Sequence, residues 1–162
     1  MTIDTLFASS ARSIRFKQIK AVYENLSVSE DVTNYLKPLT RYTSPEQIFN
    51  TFSFLKHETK EYFFTLHLDG KNRILCMDLV SIGSLNQSIV HPREVFKTAC
   101  LSSAACIILM HNHPTGDPAP SPEDIAITRR LKDAGELLGV KVMDHIIIGD
   151  GQYVSFVEKC LL

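Results

Sequence analysis

Much of the structural information in this chain lies in residues 104–124, which read AACIILMHNHPTGDPAPSPED. The run from Ala104 to Met110 is short and apolar, which is typical of a buried β-strand. The final four residues favour the start of a helix, with Ser121 as N-cap, proline at the first helical position and acids in the first turn. Three prolines stiffen the segment between them, which also contains the turn-forming residue Gly116. We therefore predict a strand, a rigid loop and a helix.

This stretch also places two imidazoles and a carboxylate where they can converge. His111 and His113 stand two residues apart at the predicted strand end, a spacing that puts both side chains on one face. Asp124 follows at the predicted start of the helix. Each half alone has an ordinary structural explanation, as a polar strand end and a helix cap. Together they predict an open three-ligand site of the kind that catalytic zinc prefers, with a fourth position left for water.

The pattern His-Asn-His-Pro-x-Gly-Asp-Pro-x-Pro-Ser-x-x-Asp of residues 111–124 resembles the zinc-ligand motif of the JAMM superfamily, specifically its bacterial RadC branch. The resemblance extends over residues 44–157. It implies one Zn²⁺ per chain, bound by His111, His113 and Asp124. It also implies a metallopeptidase-type hydrolase, in which zinc-activated water cleaves an amide or isopeptide bond of a peptide or protein substrate.

Two further functional residues follow from the resemblance. In JAMM enzymes a glutamate at the start of an upstream strand acts as general base, and Glu61, a lone acid before an apolar run, matches that position. Glu58 is the alternative base. Ser121 matches the motif serine, whose hydroxyl helps to hold the metal-bound water or the developing oxyanion. The same hydroxyl is suited to capping the helix, so two roles compete for it.

The other polar residues near these motifs have structural interpretations. We predict that His145 is buried with a satisfied hydrogen bond and is not a metal ligand. His91 is expected to help start a helix, whereas His57 and His67 are expected at the surface or at a sheet edge. The amide of Asn112 is expected to pin the metal-site loop.

Hydrophobic patterning along the rest of the chain predicts an α/β fold. We predict a helix from Ser44 to about Leu55, a hairpin of strands at 61–68 and 73–81, a helix from His91, an amphipathic helix ended by Gly139, and strands at 140–148 and 153–156. The resemblance implies a mixed sheet sandwiched by helices, the cytidine-deaminase-like JAMM/MPN fold. We expect this RadC-like domain to span residues 41–162.

Residues 1–40 are predicted to form a short helical N-terminal extension, because Phe16, Ile19 and Leu26 recur at helical spacing. The first glycine of the chain is Gly70. Longer RadC proteins carry an N-terminal helix-hairpin-helix segment, a DNA-binding module whose hairpins need glycine at positive φ. We therefore expect a short form that lacks this segment and has no strong autonomous nucleic-acid binding.

Composition sets broader limits. Apolar residues make up 44% and charged residues 22% of the 162 residues, as in globular domains, and the net charge of −1 argues against a generally basic surface. No apolar run is long enough to cross a membrane, and the N-terminus does not resemble a signal peptide, so a cytoplasmic location is expected. The four cysteines lie among apolar neighbours without a Cys-x-x-Cys pair, which favours buried, reduced thiols.

Two alternative functions fit the pattern less well. A non-catalytic MPN interaction domain is expected to have lost a metal ligand, whereas every ligand type is present here. A DNA-repair-associated factor, as the RadC name suggests, is disfavoured by the near-neutral charge and by the missing hairpins.

Overall fold

The computed structural model describes residues 22–23, 39–83 and 90–162. Within these ranges the elements are α1 Pro45–Phe52 with a 3₁₀ turn Ser53–His57, β1 Glu61–Leu68, β2 Ile74–Gly83, α2 Pro92–Leu101, β3 Cys106–Asn112, α3 Pro122–Leu138, β4 Lys141–Ile148 and β5 Tyr153–Ser155. Apart from residues 22–23 and 39–40, the predicted N-terminal extension lies outside the described residues.

The strands form one mixed sheet in the order β2-β1-β3-β4-β5. β1 runs antiparallel to β2 and β3, β3 and β4 are parallel, and β5 returns antiparallel to β4. Because parallel neighbours need a crossover, the chain passes from β3 to β4 through α3. Every residue of the central strand β3 is buried. The predicted α/β fold with a mixed sheet is confirmed.

Strand alternation divides the core into two layers. On one face Phe64 and Ile108 pack with Ile48 of α1. On the other face Leu109 packs with α2 and with Ile127 of α3. Consecutive residues of β3 therefore serve opposite layers, and the strand delivers its alternate side chains to different surroundings.

Several element boundaries differ from those predicted, most clearly those of α1 and β3. The first helix is regular only to Phe52 and tightens into a 3₁₀ turn that ends at His57. β3 begins and ends two residues later than predicted, at Cys106 and Asn112. Pairing sets its limits, because Cys106 is the partner of the last residue of β1 and Asn112 is the partner of Ile148 in β4.

His67 lies on an interior strand of the sheet, so its predicted position at the surface or a sheet edge is wrong. It is fully buried on β1, which has neighbouring strands on both sides. Its Nε2 lies 3.0 Å from the Thr65 hydroxyl and its Nδ1 lies 2.8 Å from the Ser102 hydroxyl. Burial lowers the pKa of His67, which favours the neutral ring in this position.

The cysteines are free, and Cys106 is buried as expected. Cys100 and Cys160 are exposed, so the expectation of uniformly buried thiols is wrong for these two. Cys100 follows Ala99, the last buried residue of α2, and Cys160 lies beyond Phe156, the last buried residue after β5. In the described part of the chain no helix has the length and hydropathy needed to span a lipid bilayer.

Candidate metal centre

The end of β3 and the first turn of α3 bring the three predicted ligands together. His111 is the penultimate residue of β3, and His113 follows the strand, with its N–H donating to the Ile148 carbonyl of β4 at 3.0 Å. Asp124 is the third residue of α3 and is buried. The connecting loop is held against the β4–β5 turn, where the Asp150 N–H donates to the Gly116 carbonyl at 2.8 Å.

The distances between the donor atoms fit a tetrahedral metal ion. The two Nε2 atoms lie 3.0 Å apart, His111 Nε2 lies 3.2 Å from Asp124 Oδ1, and His113 Nε2 lies 3.4 Å from Asp124 Oδ2. Ligands at about 2.0–2.1 Å from a tetrahedral zinc ion are separated by about 3.3 Å. His111, His113 and Asp124 therefore form a group that can hold a metal ion.

The hydrogen bond made by Nδ1 of His113 determines which way its other ring nitrogen, Nε2, can bind. Nδ1 of His113 lies 2.7 Å from the main-chain carbonyl of Asp117, which can only accept, so Nδ1 carries a proton. In the neutral ring Nε2 then presents a lone pair towards His111 and the carboxylate. Electron-pair donors that face each other in this way are satisfied by a cation between them.

Burial and polar neighbours shift the pKa values of the three side chains in opposite directions. Burial alone would raise the pKa of Asp124, but the neighbouring imidazoles of His111 and His113 hold it well below its usual range. Burial lowers the pKa of His111. The pKa of His113 is also depressed by burial, but its bonds with Asp124 and the Asp117 carbonyl raise it overall. The centre thus contains a carboxylate, a neutral imidazole and a more basic imidazole.

Ser121 is bonded to the carboxylate ligand in a capping box. Its hydroxyl donates to Asp124 Oδ2 at 2.7 Å and accepts from the Asp124 N–H at 3.1 Å, while its own N–H donates to Oδ2 at 2.8 Å. These bonds fix the carboxylate so that Oδ1 faces His111. The capping interaction is present as predicted, and the catalytic role of Ser121 stays a prediction.

Glu61 lies beside the candidate metal ligands. It opens β1, and two residues later on the same face Phe63 pairs directly with His111 of β3. Its negative charge raises the pKa of both His111 and His113, although other interactions dominate those shifts. Glu58 instead hydrogen-bonds Tyr62, whose pKa is raised by burial and further by this carboxylate. The position favours Glu61 over Glu58, and its role as base stays a prediction.

Asn112 holds the entry to β1 and not the metal-site loop, contrary to expectation. Its Oδ1 accepts from the Tyr62 N–H at 2.8 Å, and its Nδ2 donates to the carbonyls of Lys60 at 3.0 Å and Leu55 at 3.1 Å. The amide therefore bonds to the residues on either side of Glu61. An asparagine between the two histidine ligands links the predicted base to the strand that carries them.

His145 is buried and hydrogen-bonded, as predicted. Its partners are His111 and Thr128, and sequence reasoning did not identify either contact. Thr128 lies four residues after Asp124, a spacing that places both side chains on one face of α3. This spacing is the sequence signal that was available.

A mixed sheet whose central strand and following helix bring together two imidazoles and a carboxylate defines an α/β domain with a three-residue group that can hold a metal ion. More specifically, the chain belongs to the family of the RadC-like JAB domain, whose model matches residues 42–161.

Curated relatives agree with this assignment. A UPF0758 protein of Pelobacter propionicus is 64% identical over 128 residues, which are 78% of this chain and 56% of that protein. A UPF0758 protein of Methanosarcina mazei is 49% identical over 143 residues, which are 88% of this chain and 62% of the relative. The chain therefore spans little more than half the length of the curated relatives it matches.

Proposed function

We propose that this chain is a zinc-dependent hydrolase of the JAMM metallopeptidase type, which cleaves an amide or isopeptide bond in a peptide or protein substrate. The convergence of His111, His113 and Asp124 at distances suited to a tetrahedral ion carries the proposal. The side chain of His113 keeps 13% of its surface exposed, whereas His111 is fully buried. A substrate carbonyl would approach from the His113 side.

Different side chains would perform different steps of the hydrolysis. When bound, a zinc ion supplies a Lewis acid that polarises a carbonyl and lowers the pKa of water. Glu61 takes a proton from the attacking water and delivers it to the leaving amine nitrogen as the C–N bond breaks. The Ser121 hydroxyl turns from Asp124 to donate to the developing oxyanion, while the Ser121 N–H keeps the carboxylate oriented.

Paired measurements of metal content and turnover test this proposal. Elemental analysis of protein purified without chelator should give one zinc per chain, and a panel of internally quenched peptides and isopeptides should contain a substrate. Glu61→Gln should retain zinc and lose about 10²–10⁴-fold in rate. His113→Ala should lose zinc and activity together, and Glu58→Gln is the matched control that should keep both.

Different failures have different meanings. Absence of stoichiometric metal in the wild type would refute the metal centre. Stoichiometric zinc without cleavage of any panel member would favour the non-catalytic interaction domain. Full activity of Glu61→Gln would place the base elsewhere.

A DNA-associated role is the weaker alternative, because the net charge of −1 argues against a generally basic surface. Titration with duplex and single-stranded DNA at physiological salt should give a Kd no tighter than roughly 10⁻⁶–10⁻⁴ M. Sub-micromolar affinity would overturn this expectation.

A further inference from the structure

We propose that His145 and Thr128 are positioning residues that hold His111 in the tautomer whose Nε2 lone pair faces the metal centre. The inference rests on the proposed metal centre, but it does not require the protein to hydrolyse anything. It concerns the direction of three consecutive hydrogen bonds behind His111.

The direction of these bonds is set by the main-chain carbonyl of Asp124. The Thr128 hydroxyl lies within hydrogen-bond distance of that carbonyl and of His145 Nδ1. A carbonyl can only accept, so the single hydroxyl proton of Thr128 goes to it. The Thr128 oxygen must then accept from His145, which places the His145 proton on Nδ1.

The same reasoning extends to the ligand. With its proton on Nδ1, a neutral His145 has a lone pair on Nε2, which lies 2.8 Å from His111 Nδ1. His111 must therefore donate from Nδ1, and its Nε2 is left unprotonated. That atom lies 3.0 Å from His113 Nε2 and 3.2 Å from Asp124 Oδ1. The carbonyl of one ligand thus sets the tautomer of another.

Aromatic packing holds the two rings in this arrangement. Phe63 stacks on His111 with ring centroids 6.0 Å apart and meets His145 edge-on at 5.6 Å. Phe156 stacks on His145 with ring centroids 4.8 Å apart. Thr128, His111 and His145 are all buried, and the reversed direction would turn lone pairs of the Thr128 hydroxyl oxygen onto the Asp124 carbonyl oxygen within hydrogen-bond distance. Burial and packing therefore make one bond direction strongly preferred.

The Nδ1 of the other candidate ligand, His113, donates directly to the main-chain carbonyl of Asp117. In both candidate ligands a main-chain carbonyl therefore determines that the proton is on Nδ1. His113 donates to its carbonyl directly, and His111 is connected to its carbonyl through His145 and Thr128. Such partners behind a ligand are worth about 10–100-fold in metal affinity.

The first test is a direct observation of the tautomer in metal-free protein labelled with ¹⁵N-histidine. Two-bond ¹H–¹⁵N correlation spectra at mildly alkaline pH should show His111 protonated at Nδ1 and unprotonated at Nε2. The opposite tautomer in the wild type would overturn the proposal, whether or not the protein proves to be a hydrolase.

The second test compares Thr128→Val with Thr128→Ser. Valine keeps the shape but removes the hydroxyl, so competition against a chromophoric chelator should show zinc affinity reduced by about 10–100-fold. Serine keeps the hydroxyl and should bind zinc as the wild type does. Equal zinc affinity of the valine variant and the wild type would refute the proposed role of Thr128.

His145 provides a second pair in case Thr128→Val fails to fold. Gln at 145 can accept from His111 and donate to Thr128, whereas Leu at 145 can do neither. His145→Gln should therefore keep zinc affinity within a few-fold of the wild type, and His145→Leu should lose roughly 10–100-fold. Equal affinities of the two variants would contradict the proposal.

Discussion

At the scale of single residues, Asp124 combines functions that need not compete. Its Oδ2 accepts both bonds from Ser121, its Oδ1 faces His111, and its main-chain carbonyl accepts from Thr128. The capping bonds leave Oδ1 clear for a metal ion, while Oδ2 accepts them and also lies 3.4 Å from His113 Nε2. The motif Ser-x-x-Asp can therefore start a helix and complete a metal site at once.

We predict that metal affinity falls in acid because a proton competes for His113. Burial alone would lower the pKa of His113, but its bonds with Asp124 and the Asp117 carbonyl raise it above the ordinary 6.5. A metal ion needs the unprotonated Nε2, so affinity is full above this raised pKa and is lost as the pH falls through it. The expected slope is about tenfold per pH unit for one displaced proton.

Zinc titrations across about pH 5.5–8 would measure this slope, with calorimetry in buffers of different ionisation enthalpy to count the protons released. Affinity that stays constant over this range would contradict the prediction.

Asn112 carries a second prediction at this scale. Asn112→Ala would remove three hydrogen bonds, although the Leu55 carbonyl would keep the Glu58 N–H as a donor. Each lost bond costs about 0.5–1.5 kcal/mol net. We expect the free energy of unfolding to fall by roughly 2–5 kcal/mol, measured by urea denaturation. Asn50→Ala, at an exposed position of α1, should change it by less than about 0.5 kcal/mol. Equal effects would show that the three bonds do not stabilise the fold.

At the scale of elements, the sequence predicted best where the signals are local. α3 begins at its Ser121 cap and ends at Gly139, which has φ of 70°, and both signals lie within the helix's own sequence. The limits of β3 depend on partners elsewhere in the chain, which is why they were displaced by two residues. His67 was misplaced for the same reason, because its partner Ser102 is far away in sequence.

The loop that joins β3 to α3 gives a prediction about element packing. A Cβ at Gly149 would collide with the Gly116 carbonyl and lie 2.7 Å from Pro118 Cδ, so Gly149→Ala must displace the metal-site loop. We expect a loss of about 1–3 kcal/mol in the free energy of unfolding, together with weaker zinc binding. Gly70→Ala, where a Cβ meets nothing within 4 Å, is the matched control for melting and zinc titration. Wild-type zinc affinity in Gly149→Ala would show that the loop adapts without moving the ligands.

At the scale of the whole molecule, the site is assembled from three separate parts of the fold. The candidate ligands lie within residues 111–124, so a local motif was enough to predict that these three side chains converge. The candidate base opens β1, and it was found only through the family resemblance. The hydrogen bonds that join His145 of β4 to His111 of β3 and Thr128 of α3 depend on tertiary packing, which no local pattern encodes.

This assembly predicts that zinc stabilises the entire domain. The ligands join β3 to α3, and an ion that binds the folded chain alone adds about 2.7 kcal/mol at a free concentration 100 times its Kd. For a chain of this size the melting temperature should rise by roughly 5–11 °C, from roughly 2–4 °C per kcal/mol. Differential scanning calorimetry with and without zinc would measure the shift. His57→Ala, which removes an exposed histidine, should keep it, and His113→Ala should abolish it. A similar rise in His113→Ala would mean that zinc stabilises the protein from a different site, because Asp124 and His111 alone cannot complete the centre.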